Sequence, residues 1–137
     1  LVDKGYFTKA PNGVTRTVAR TLFYSGKTPM FYLALGFLPG LLQTEAYARH
    51  IIGSYDRVEP IPPSAVTRLV RVRLRRQQVL DRASLTISVV LDESILLRRA
   101  GSNQVMYEQL QRLAKECDRP NLTLQILPLD GQHTVGS

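Results

Sequence analysis

Arginine is the side chain most able to do chemistry here: Arg68, Arg71, Arg73, Arg75, Arg76 and Arg82 crowd into residues 64–82 against one acid, Asp81. A guanidinium is a planar fork that meets a carboxylate or phosphate with two parallel hydrogen bonds, so a row of them is a device for holding acidic groups. At about 100° per residue, Arg68, Arg71, Arg75 and Arg82 share one broad face of a helix, with Arg76 at its margin. Val66, Leu69, Val70 and Leu80 only partly fill another face. Two readings stand side by side: a surface that contacts phosphates or acidic groups, and a solvated helix face tied up in ion pairs. A helix–turn–helix reader is a poor match, because a proline-rich loop precedes the helix and it opens with Ser64-Ala65-Val66-Thr67.

Other groups offer less. Asp92-Glu93 are adjacent carboxylates, and neighbours on a helix point apart, so capping fits them better than paired acid and base. His133, in Asp130-Gly131-Gln132-His133, has no nucleophile motif beside it and reads as a loop histidine that packs or contacts a ligand. His50, next to Arg49, is a helix residue with at least one side in water. The single cysteine, Cys117, makes no internal disulfide and no structural zinc site, which fits a reducing, cytoplasmic setting. The glycines stand singly, without the spacing of a phosphate-binding loop. These residues imply a protein that is not an enzyme, with no cofactor and no metal.

Elements must place these residues. Val14 to Tyr24 carries helical spacing behind an extended arm, and Met30 to Leu38, bounded by prolines, reads as a buried strand. Gln43 to Ile52 puts Tyr47, Ala48, Ile51 and Ile52 on one stripe, with Thr44 as cap. Residues 53–63 form a loop, and a long helix runs from Ser64 through Arg82. Leu85 to Leu91 is β-branched and apolar, and Asp92 caps a short helix from Glu93 to Arg98. Asn103 caps a helix from Val105 to Cys117 whose inward stripe is Val105, Met106, Leu110 and Leu113. Leu122 to Leu127 alternates as a strand, followed by loop. Strands alternating with helices over short links predict an α+β fold, a small few-stranded sheet packed with amphipathic helices.

The chain has 137 residues, 44% hydrophobic and 21% charged, which suits a single soluble globular core and not a disordered chain. The longest uncharged stretch, Thr28 to Thr44, is broken by prolines and glycines, so it is core and not a membrane span. Net charge is +7, and the excess is confined to the first hundred residues: six Lys or Arg against two acids in 1–55, nine against five in 56–100, and three against four thereafter. The opening Leu1 is expected to follow a missing upstream region.

In order, the segments Leu38-Pro39-Gly40-Leu41-Leu42-Gln43-Thr44-Glu45-Ala46-Tyr47-Ala48-Arg49, Arg76-Gln77-Gln78-Val79-Leu80, Val90-Leu91-Asp92-Glu93-Ser94-Ile95-Leu96-Leu97-Arg98-Arg99, Glu108-Gln109-Leu110 and Arg119-Pro120-Asn121-Leu122-Thr123-Leu124-Gln125-Ile126-Leu127-Pro128 form a pattern. It resembles the C-terminal domain of actinobacterial Xre-type helix–turn–helix regulators, the WhiJ-like group, over about residues 30–137. The resemblance implies an effector-binding or partner-binding module, often accompanied by a small docking protein, joined to a separate DNA-binding domain. Residues 1–29 would then be an arm and helix leading in, and 30–137 the regulatory domain. The family pattern usually continues for several more strands, so the domain is expected to be truncated at its C-terminus.

Function follows as an expectation: a non-enzymatic regulatory domain that senses a ligand or docks a small acidic partner and thereby modulates DNA binding elsewhere. Direct nucleic-acid binding through the helix 64–82 is the alternative, and a homodimer is open. Gln43, Tyr47, Asp92, Gln125 and His133 are the polar residues expected to line a shared cleft, with Thr44 and Glu93 beside them.

Overall fold

The β-branched run in the middle of the chain becomes the central strand of a three-stranded sheet. The computed structural model describes residues 30–34, 36–55 and 58–130. The expected helix at Val14 to Tyr24, the whole of the arm at 1–29, and His133 lie outside them. Strand β1 spans Met30–Ala34, β2 Ile87–Asp92 and β3 Leu122–Leu127, in the order β1-β2-β3. Both pairings are parallel, with Met30 opposite Ile87 and Ile87 opposite Leu122. Parallel neighbours need crossovers, and the helices supply them: α1 (Glu45–Ser54) and α2 (Pro63–Arg76) join β1 to β2, and α3 (Ser94–Leu97) and α4 (Asn103–Glu116) join β2 to β3. The expected small α+β fold is thus what forms.

Crossovers of one hand in a 1-2-3 sheet carry both connections to the same face, and α1 and α4 meet there. Ile87, Val89 and Leu91 point into that side and pack with Leu42, Tyr47, Ile51, Leu80, Ile95, Met106 and Leu113. Ser88, Val90 and Asp92, half-buried, alternate onto the opposite face.

Several boundaries differ from the sequence reading. β1 ends at Ala34, because the chain must turn before Leu38, which is buried beyond the strand. The helix expected over Ser64 to Arg82 begins at Pro63, where a missing amide costs nothing, and leaves α-geometry after Arg76 for a tighter 3-10 turn at Gln77–Asp81. That tightening turns Val79 and Leu80 into the core and leaves Arg82 in extended backbone, off the face it was expected to share. Ser102, not Asn103, caps α4: its Oγ accepts from the Val105 amide at 3.3 Å. Gly101, with φ of 73°, swings the chain into that cap through a conformation that favours glycine. Leu110 is 41% exposed, and Gln109, fully buried, takes the inward position between Met106 and Leu113. Asp92 is the last residue of β2, and α3 starts at Ser94, one residue later than expected, with Glu93 in the N-cap position; the Asp92 Oδ1 still accepts the Ser94 amide at 2.9 Å.

Candidate functional site

Pro39-Gly40 turns the chain out of β1 into a 3-10 turn at Gly40–Leu42, which drops Leu42 into the core. A turn beneath three helices exposes backbone groups that no ladder can reach, and buried backbone groups must still be paired. Side chains supply the partners. The Gln43 amide nitrogen donates to the Leu38 carbonyl at 2.7 Å, and Gln77 Nε2 donates to the carbonyls of Gly40 and Gln43 at 2.7 Å each. From α4, Gln109 donates to the Leu42 carbonyl at 2.8 Å and accepts from the Thr44 amide at 2.7 Å. Arg112 donates to the Gln43 carbonyl at 2.8 Å, and Arg73 to Gln43 Oε1 at 2.9 Å. Gly40 permits this closeness: a Cβ there would stand 3.3 Å from Arg73 Cδ.

The expected site residues Gln43, Thr44 and Tyr47 all belong to this clamp. Thr44 Oγ1 accepts the Tyr47 amide at 3.2 Å, as the cap was expected to do, and the Tyr47 hydroxyl accepts from the Leu38 amide at 3.5 Å. Among the described residues no buried side-chain nitrogen or oxygen lacks a partner. The clamp is therefore closed on itself, and its chemistry is structural. Burial pulls the Arg73 and Arg112 guanidiniums below their usual range, for Arg112 against the raising effect of the Glu116 carboxylate.

Tyr47 carries a pH prediction. Burial holds its phenol above the ordinary tyrosine value, against the lowering effects of the Leu38 amide and the Arg98 charge. A group with a raised folded-state pKa contributes stability below its unfolded value, near pH 10, and loses it as pH climbs toward the folded value. Urea midpoints measured from pH 8 to 11 should therefore fall more steeply for the native chain than for Tyr47→Phe. Parallel curves would show that the phenol titrates freely.

The remaining expected residues do not join them. Asp92 and Gln125 lie on the sheet face opposite the helices, Gln125 exposed across from Val90. Glu93 reaches the Leu129 amide with Oε2 at 2.8 Å, tying the chain after β3 to α3. The single cleft expected to unite Gln43, Tyr47, Asp92 and Gln125 is thus divided by the sheet itself, since strand alternation sends Leu91 and Asp92 to opposite sides. Sequence reasoning missed Arg73, Gln77, Gln109 and Arg112. Their signal was present in Gln109, a polar residue at core spacing between Met106 and Leu113.

The arginine face keeps its promise in part. Arg68, Arg71 and Arg75 are exposed on α2, and among the described residues none of the three has a hydrogen bond or ion pair. Arg76, also exposed, and Arg82 interact elsewhere in the chain. Arg73, on the reverse side, is the arginine that enters the clamp. Among the described residues no group of three or more His, Cys, Asp or Glu could hold a metal ion, and no helix is long and apolar enough to cross a membrane.

A parallel three-stranded sheet covered by helices, with a closed polar clamp inside and an exposed arginine row outside, defines a small α+β domain. Residues 30–137 match the model of DUF5753, a domain family of unknown function, and the chain belongs to that family. No curated protein and no solved structure matches it.

Proposed function

We propose that the chain is a non-enzymatic regulatory domain of a cytoplasmic transcriptional regulator. It senses a ligand or docks a small partner protein, and so modulates DNA binding by a separate helix–turn–helix domain. Family membership over residues 30–137 and the motif resemblance to actinobacterial Xre-type, WhiJ-like regulators support this reading. One observation carries it: the polar residues of the signature motif are engaged in holding the chain together, whereas Arg68, Arg71 and Arg75 are exposed and have no partner among the described residues. A binder attached there would pull on α2, whose inner side is bonded through Arg73 and Gln77 to the turn at residues 40–43.

The same arginines keep direct nucleic-acid binding as the second reading. Fluorescence anisotropy of the chain against mixed-sequence duplex DNA separates the two. The regulatory reading expects weak binding at low salt that disappears at physiological salt, because a few phosphate contacts are lost steeply as counterions compete. Tight binding that persists at physiological salt and falls when Arg68, Arg71 and Arg75 become alanine would overturn it in favour of a nucleic-acid interface.

A further inference from the structure

From the outer face of α2 we infer a docking surface for an acidic, amphipathic helix of a partner protein, seated on Arg68, Arg71, Arg75, Leu69 and Val72. The inference rests on the regulatory reading above and names the partner's chemistry.

α2 has 14 residues, long enough to present a continuous face. At about 100° per residue, Arg71 and Arg75 stand about 60° and 20° to one side of Arg68, and Val72 and Leu69 about 40° and 100° to the other. The arginines form one ridge about 10 Å long, at 1.5 Å per residue, and the two apolar side chains form a second ridge beside it. Leu69 is 44% exposed and Val72 41%, so both apolar groups present substantial area to solvent. Among the described residues the three guanidiniums have no hydrogen bond or ion pair, and a carboxylate is the partner that such a fork meets with two parallel bonds. No acidic side chain occurs on α2 itself.

Charge selects the occupant. A second copy of this chain carries the same +7 and meets the row with repulsion. Phosphates would satisfy the arginines but would leave Leu69 and Val72 against a polar backbone, with no apolar area to cover them. Groove-reading helices also lead with polar residues at their N-terminus. Here that end is Pro62-Pro63-Ser64-Ala65, and the charge begins at Arg68. A helix with glutamates at i, i+3 and i+7 and leucines flanking them satisfies both ridges at once, as helix pairs do when ridges enter grooves.

The test uses the whole chain with a synthetic helical peptide of that Glu and Leu pattern. Polyglutamate of equal length and a duplex DNA serve as competing probes, all followed by calorimetry at physiological salt. The expected result is saturable 1:1 binding of the peptide, weaker by about tenfold or more when Arg68, Arg71 and Arg75 are all glutamine. A Leu69→Ser, Val72→Ser chain should bind several-fold less tightly, and Arg99→Gln, an exposed arginine off this helix, should bind as the native chain does. All these positions are exposed, and circular dichroism of each variant verifies that it folds. Absence of peptide binding, equal affinity for polyglutamate, or an equal loss in Arg99→Gln would overturn the inference while leaving the regulatory reading standing. Preference for the duplex at physiological salt would overturn both.

Discussion

Replacing Gln109 by leucine is expected to destabilise the domain by about 2–4 kcal/mol, although the two side chains have similar volume. Gln109 is fully buried and makes two bonds of opposite polarity, donating to the Leu42 carbonyl and accepting from the Thr44 amide. Leucine fills the space but leaves a buried acceptor and a partly buried donor unpaired, and each such group costs about 1–3 kcal/mol. Gln109→Glu should be no better, since a carboxylate still accepts from Thr44 but has nothing to give Leu42. Urea unfolding followed by circular dichroism measures both. A change under about 0.5 kcal/mol for the leucine variant would mean that water or a backbone shift satisfies the turn, and that the clamp does not hold α4 to it.

The second large effect is expected at Glu116. Its side chain, 7% exposed, accepts from Arg119 and lies 3.6 Å from Arg112. Arg119 in turn donates to the Leu80 carbonyl at 3.2 Å and to Asp81 at 2.9 Å, joining the end of α4 to the turn after α2. The bond from Glu116 keeps the Arg119 guanidinium above its usual range, with Asp81 adding to it, whereas burial pulls Arg112 down. Glu116→Gln keeps the shape and removes the one charge between two cations. The expected cost is about 2 kcal/mol, below the 3–5 kcal/mol of a fully buried broken pair, because both arginines retain partial access to water. A double-mutant cycle with Arg119→Met should return a coupling of about 1 kcal/mol or more. Additive losses would show that the two residues stabilise the fold independently.

These two sites meet at α2. Its inner side is fixed by Arg73 and Gln77 to the turn that Gln109 and Arg112 hold from the other direction, and its C-terminal extension is fixed by Arg119. On the proposed regulatory reading, a partner bound to the outer arginines would bear on both of these attachments. The alkaline behaviour of Tyr47 reports on the same region, since its hydroxyl pairs with Leu38 at the start of the turn.

Local physics was legible in the sequence. Thr44 caps α1 because its hydroxyl reaches an amide three residues away, and 87–91 is a strand because branched side chains suit a pleat; the prolines at 62 and 63 read as loop, and only the structure starts α2 at Pro63, where a missing amide costs nothing. The exposure of Arg68, Arg71 and Arg75 also followed from helical spacing alone. What needed the tertiary structure were the partners across distance. The bond from Gln109 to Leu42 spans 67 residues and that from Arg112 to Gln43 spans 69, and no periodicity states which buried amide meets which carbonyl. For the same reason Gln43 and Tyr47 were expected to line a cleft with Asp92 and Gln125. Periodicity says that a face is buried or exposed, but only the parallel register of three strands decides that Leu91 turns toward the helices and Asp92 away from them.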